Sequence, residues 1–249
     1  KGVSPSGLTS VVDGMIILDW VMAAYTDITD TVEYVGGYQI NSVKDKYPEL
    51  LFLENLAWET TKSAASFFTL DFKKGCDYFV SYTDIVHRED LPERMSKPSS
   101  DVVIAIDSKW MCRYENRRDD DIANAEKCCI TKGKVMYLGK QLMQNAEAAE
   151  FAGVIKFKSP VIDFLCDLDS DVIEGFANSS MSDVVEFLRL HDFSISYVDL
   201  LGDWAELNDP RDVSHFILGT KAETLSRLKQ VVKFSNILDQ KAFRVVEWA

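Results

Sequence analysis

The sequence predicts an α/β fold with a doubly wound, mainly parallel, Rossmann-like mixed sheet. Three observations carry that prediction. Short apolar runs alternate along the chain with segments of helical period, the pattern of a sheet covered on both faces. The links between them are short, which suits crossover connections. Two of the apolar runs end on an aspartate, Asp84 and Asp107, at the position where open α/β sheets bind ligands.

The elements follow in order. Met15 to Tyr25 reads as an apolar helix, and Thr31 to Val35 as a short strand closed by Gly36-Gly37. Val43 to Tyr47 continues a helical period that Pro48 stops. Leu50 to Leu53 is a short buried strand, Lys62 to Phe72 a helix, and Cys76 to Tyr82 a strand running into Thr83-Asp84. Pro92 and Ser96 to Ser100 mark a loop before the apolar strand Val102 to Ile106. Arg113 to Asp121 is crowded with charge and reads as an exposed excursion. Thr131-Lys132-Gly133-Lys134 is a turn sequence within a hairpin from Cys128 to Leu138. Phe151 to Phe157 is a strand, Met181 to Leu190 an amphipathic helix capped by Ser180 or Ser182, and Ile195 to Val198 a strand. Pro210 suits the first turn of a further helix. Lys221 to Val232 then reads as a helix and Phe243 to Trp248 as a strand.

Composition narrows the function classes. The 249 residues carry a formal charge of −13, which argues against nucleic acid or an acidic membrane surface as partner. Phosphates would have to be met by a local cluster of cations, backbone N–H groups or a metal ion, and 40 carboxylates offer ligands for the last. The five cysteines have no paired spacing and read as reduced thiols, and the three histidines are scattered. No apolar run is long enough for a membrane span and no signal peptide is visible, so the expected compartment is the cytoplasm.

Several short patterns stand in a fixed order. They are Asn55 with Trp58, then Ser66, then Ser81-Tyr82-Thr83-Asp84, then Val103 to Trp110. Ala125-Glu126-Lys127 to Gly139-Lys140 and Glu150-Phe151-Ala152-Gly153 follow, and Trp204-Ala205-Glu206-Leu207-Asn208-Asp209-Pro210-Arg211-Asp212 comes last. Together they resemble the sugar-phosphate and choline-phosphate nucleotidyltransferase family over roughly residues 1–218. The resemblance implies a nucleotidyltransferase-type sheet and a Mg²⁺-dependent reaction. In it an acceptor phosphate or phosphonate oxygen attacks the α-phosphorus of a nucleoside triphosphate and pyrophosphate leaves.

By the same resemblance Asp84 is the first Mg²⁺ ligand, and the family's second metal-binding Asp matches Asn208, whose carbonyl is a neutral and weaker ligand. Lys1, Gly2, Asn55 and Ser66 fall to the nucleotide. Asp107, Trp110, Glu150, Gly153, Trp204 and Glu206 fall to the acceptor. Lys140 or Lys156 would neutralise the acceptor phosphate, and Trp110, Tyr114 and Trp204 would suit an ammonium head. CTP is the first expectation for the nucleotide, with phosphocholine, an aminoalkylphosphonate or a similar acceptor; nucleotidyl transfer to a sugar phosphate stands close behind. The alternative is a regulatory module that keeps the fold and has lost turnover, motivated by Asn208. A glycosyltransferase would want Asp-x-Asp at the strand end, where Asp84 is followed by Ile85-Val86.

Two further expectations concern the ends. The family's first strand would precede Lys1, which with Gly2 already stands inside the family's Gly-rich loop, so the polypeptide is expected to start earlier. Residues 219–249 resemble the lead-in to an ATP-grasp domain of the phosphoenolpyruvate synthase type, which implies a fused domain beyond this chain.

Overall fold

The computed structural model describes residues 4–207 apart from 13, 30, 115–118 and 144–146, together with Asp212. A 3-10 turn at Ser6–Leu8 is followed by β1 (Ser10–Val12), β2 (Met15–Ile16), α1 (Ile17–Ala23), β3 (Glu33–Gly36), α2 (Ile40–Lys46), β4 (Leu51–Glu54) and α3 (Ser63–Phe67). The middle of the chain forms β5 (Tyr78–Ser81), β6 (Ile85–His87), α4 (Leu91–Ser96) and β7 (Val102–Asp107). After a second 3-10 segment at Trp110–Tyr114 come α5 (Asp119–Asn124), β8 (Lys127–Thr131), β9 (Lys134–Gly139) and β10 (Glu147–Phe157). The last described elements are α6 (Ser159–Cys166), α7 (Ser170–Gly175), α8 (Met181–Leu190), β11 (Ile195–Asp199) and β12 (Trp204–Glu206).

The central sheet is mixed, in the order β11-β7-β10-β8-β9, with β5 also on β10. β11 runs parallel to β7, and β3 runs parallel to β4 in a separate pair. The long β10 is antiparallel to every neighbour. Its first half, Glu147 to Glu150, pairs with β8, and its second half, Val154 to Phe157, pairs with β5 along the same edge. Between them lies a bulge: Phe151 faces Ile106 of β7, but Ile155 faces Ile104. Gly153 sits in that bulge at φ +71°. The α/β class with a mixed sheet is as expected, and β10 with the β8–β9 hairpin gives the antiparallel pairings a larger share than simple alternation suggests.

Burial follows the side-chain alternation of β7, whose six residues are all buried. Val102, Ile104 and Ile106 face a core shared with α3, α6 and α8, through Phe67, Ile162, Leu165, Val184 and Leu188. Val103 and Ala105 face the opposite core with Ile85, Leu91, Met95, Leu200 and Trp204. Both faces of the strand are therefore apolar, as an interior strand requires. Helix α1 covers β6 with Ile17 and Val21 against Val86, and Tyr25 of the turn after α1 and Leu207 of the segment after β12 join them.

Several boundaries differ from the sequence expectation. The helix expected from Met15 starts as a strand, because Met15–Ile16 pairs with β1. Lys62 to Phe72 is helical only over Ser63–Phe67; Leu70 and Phe72 leave the helix to pack on the main core. The segment around Pro92 is helical, not a loop, with the proline in the first turn of α4 where it costs no hydrogen bond. The hairpin is placed as expected: Lys132 and Gly133 both take positive φ, the geometry of a type I′ turn. Helix α8 runs over Met181–Leu190, and Ser180 N–H donates to the Asp183 carboxylate at 2.7 Å across its first turn. Among the described residues no helix is long and apolar enough to cross a membrane. The expectations for Pro210, for Lys221 to Val232, for Phe243 to Trp248 and for the division at 218/219 lie outside the described residues.

Candidate active site

Asp84 follows β5 and precedes β6, next in the chain to Ile85, which lines a cleft of about 540 Å³ together with Gly153, Trp204 and Glu206. The backbone fixes it. Its carbonyl accepts from Leu207 N–H at 2.7 Å, and Ile85 pairs with Glu206 in the antiparallel β6–β12 ladder. The N-terminal 3-10 turn lies on the same spot: a Cβ on Gly7 would stand 3.3 Å from the Thr83 carbonyl oxygen. Burial and the Glu206 charge push the Asp84 carboxyl up to about 6. Asp84 also helps to raise the Tyr34 phenol, after burial.

A largely desolvated carboxylate held beside a second negative charge is the electrostatic preparation for a cation. Among the described residues no three His, Cys, Asp or Glu form a metal-binding group. Mg²⁺ commonly takes one or two carboxylates and completes its shell with water and substrate phosphates, so the Asp84–Glu206 pair fits such an ion. Asn208 lies outside the described residues, as do Lys1 and Gly2. Glu206, which the sequence assigns to the acceptor, is thus the residue whose charge acts on Asp84.

Asp107, Trp110, Glu150 and Trp204 form one buried network. Asp107 ends β7 and pairs with Glu150 of β10, which pairs in turn with Lys127 of β8. The Asp107 Oδ2 accepts from the Trp204 indole N–H at 3.0 Å, and its Oδ1 accepts from Lys109 N–H at 2.8 Å. Tyr114 donates its hydroxyl to Glu150 at 2.5 Å. Trp110 donates to the Ala148 carbonyl at 3.0 Å and packs edge-on against Tyr114, with ring centroids 5.5 Å apart. Of these, Glu150, Tyr114 and Trp204 line the cleft, whereas Asp107 and Trp110 stand behind it. Trp204→Phe removes one donor from a buried carboxylate and should cost about 1–3 kcal/mol. A lower urea midpoint at unchanged m-value would register it.

Lys140 lines the cleft at the end of β9. Lys156 does not: it lies at the far end of β10, near the Asp77 carboxylate at 3.5 Å and the Phe79 ring. Asn55 and Ser66 are brought together, since the Asn55 amide donates to Ser66 Oγ at 3.1 Å and to Thr61 Oγ1 at 2.9 Å. Those bonds close the loop between β4 and α3, and neither residue lines the cleft.

Sequence reasoning did not single out Lys62, Tyr82, Ser182 and Asp183 for the cleft, which they line. The signal for two of them was available. A Ser-rich cap marks the N-terminal end of a helix, and such an end needs an opening or a partner in front of it. Ser182 finds Glu126, donating to it at 2.6 Å.

Comparison with known proteins agrees with this geometry. No protein-family profile matches the chain. The chain is 27% identical over 199 residues to the CTP:phosphoglutamine cytidylyltransferase of Campylobacter jejuni, covering 73% of this chain and 79% of that protein. Among solved structures it resembles the inositol-1-phosphate CTP transferase from T. maritima, with TM-score 0.64 and 18% identity over 94% of this chain and 91% of the other. It also resembles the CTP:phosphocholine cytidylyltransferase from Streptococcus pneumoniae, with TM-score 0.59 and 13% identity over 86% and 89%. At those identities the solved structures speak for the fold alone. The fold is the one these nucleotidyltransferase structures share, and the sequence likeness is to a cytidylyltransferase.

Proposed function

We propose that the chain transfers a cytidylyl group from CTP to a small phosphorylated acceptor, with Mg²⁺ bound and pyrophosphate released. The observation that carries this is the Asp84–Glu206 carboxylate pair at a strand end beside a cleft with Lys140 on its rim. The likeness to a relative named for CTP supports CTP as the nucleotide.

Reactions of this class depend on alignment and charge neutralisation more than on a general base. Asp84, with Glu206 or Asn208, would hold the ion, which supplies charge neutralisation at the α-phosphate. Lys140 would bind the acceptor phosphate. The cleft carboxylates Glu126, Glu150 and Asp183, together with the Tyr114 and Trp204 rings, suit an acceptor that also carries an ammonium group, through charge and cation–π attraction. The Asn at 208 supports a second reading, a regulatory domain that binds nucleotide without turnover.

Pyrophosphate release separates the two. Each of CTP, UTP, ATP and GTP would be paired with phosphocholine, 2-aminoethylphosphonate and a hexose 1-phosphate. The expected result is Mg²⁺-dependent release with CTP and an ammonium-bearing acceptor. Nucleotide binding without turnover in any pair would establish the regulatory reading instead.

A further inference from the structure

We propose that Lys127 is a positioning residue for the acceptor end of the cleft, setting the place of Lys140 through a buried ammonium group; this rests on the nucleotidyl-transfer reading above. Lys127 is 2% exposed. Its ammonium donates to the carbonyls of Ala125 at 2.8 Å, Lys140 at 3.0 Å and Ala123 at 3.2 Å. Three donors thus meet three backbone acceptors, the full capacity of the group. Two of those acceptors, Ala125 and Lys140, belong to residues that line the cleft from opposite segments, one after α5 and one after β9. A single side chain therefore ties two walls of the cleft together.

The surroundings show why this lysine is more than packing. Asp107, Glu150, Lys127 and Gly139 stand side by side across β7, β10, β8 and β9. Lys127 is the cation of that row, next to the Glu150 carboxylate and 6.0 Å from the Trp110 ring centroid. Burial pulls its pKa below the ordinary lysine value, with Glu150 opposing the shift. A buried ammonium is expensive, and an apolar side chain of similar volume often replaces one at no loss of stability. What an apolar side chain cannot do is hold three carbonyls at once. The chain passes directly from Gly139, the strand neighbour of Lys127, to Lys140, so fixing the Lys140 carbonyl fixes the start of its side chain.

The test is steady-state pyrophosphate release by Lys127→Met, Lys140→Met and the double variant, with acceptor and CTP varied separately. Lys127→Met should raise the acceptor KM about 10-fold or more while the CTP KM stays within about 2-fold. Because Lys127 acts through Lys140, the double variant should be little worse than Lys140→Met alone, a strongly non-additive cycle. Additive effects, or an equal rise in both KM values, would overturn the proposal. If Lys127→Met does not fold, Lys127→Arg carries the same cycle, since a planar guanidinium keeps the charge but not the three-carbonyl geometry. An unchanged acceptor KM in that variant overturns the proposal as well. Wild-type protein that turns nothing over refutes the transfer reading; the cycle is then read on acceptor dissociation constants, and an acceptor that does not bind at all removes both.

Discussion

Asp84→Asn should abolish Mg²⁺-dependent transfer, lowering kcat about 100-fold or more, and should make the metal-free protein more stable. The two effects have one cause. The Asp84 carboxyl is raised from 3.8 to about 6 by burial and by Glu206, so the native state holds a proton that the unfolded chain has already released. Between about pH 4 and pH 6 stability therefore falls as pH rises, and the full penalty applies above pH 6. Asparagine carries no charge to bury. At pH 7.5 the variant should gain up to about 3 kcal/mol, the size of the pKa difference expressed as free energy. Mg²⁺ should raise the Tm of the wild-type protein by neutralising the pair, and should raise that of the variant much less. A variant with lower metal-free stability and an unchanged Tm response to Mg²⁺ would remove Asp84 from the metal site. Activity alone would not make this distinction, since a distorted cleft also loses turnover.

The sequence carried the strand ends and missed the elements that close them off. Asp84 and Asp107 were legible because each follows an apolar run, and at Asp107 burial of both faces leaves that run little choice but an interior strand. The β8–β9 turn was legible because Lys-Gly at its tip accepts positive φ. By contrast, β6 and β12 are three residues long, too short for any period, and their pairing joins positions 85–87 to 204–206. That pairing is what brings Glu206 to Asp84, so the electrostatics of the site could not be read before the fold. Glu206 was assigned by its place in a motif, and the motif does not say which neighbour its charge will face. The Pro-containing starts of α4 and α6 were read as loop or left unassigned, because a proline in a first turn and a proline in a loop look alike without the helix behind it. Lys127 illustrates the same limit. Nothing in its local sequence separates it from an exposed hairpin lysine, and only the meeting of α5, β8 and β9 buries it.

Gly153→Ala should be among the most damaging single substitutions in the chain, costing about 2–5 kcal/mol. Gly153 takes φ +71°, where an L side chain is strained by about 1–2 kcal/mol. An added Cβ would also overlap the Ile85 Cδ1 methyl and stand 2.6 Å from Tyr82 Cδ2. Neither neighbour can withdraw easily. Tyr82 N–H donates to the Gly153 carbonyl at 3.1 Å, and its hydroxyl is bonded to Ser63 at 3.2 Å. Ile85 is 1% exposed in its core and adjoins Asp84. Relief by movement would therefore shift Asp84 against Glu206, and surviving protein should show a raised KM for both substrates together with its lower urea midpoint. Gly133→Ala is the control. Its φ of +73° imposes the same backbone strain, but nothing lies within 4 Å of the added methyl. It should cost only about 1–2 kcal/mol and leave transfer intact. If the two variants are equally stable, the crowding at the bulge is not what requires glycine, and Gly153 serves the backbone alone. A larger loss at Gly153 assigns the difference to the Tyr82 and Ile85 contacts, which means that the cleft and the segment carrying Asp84 are set by one close approach.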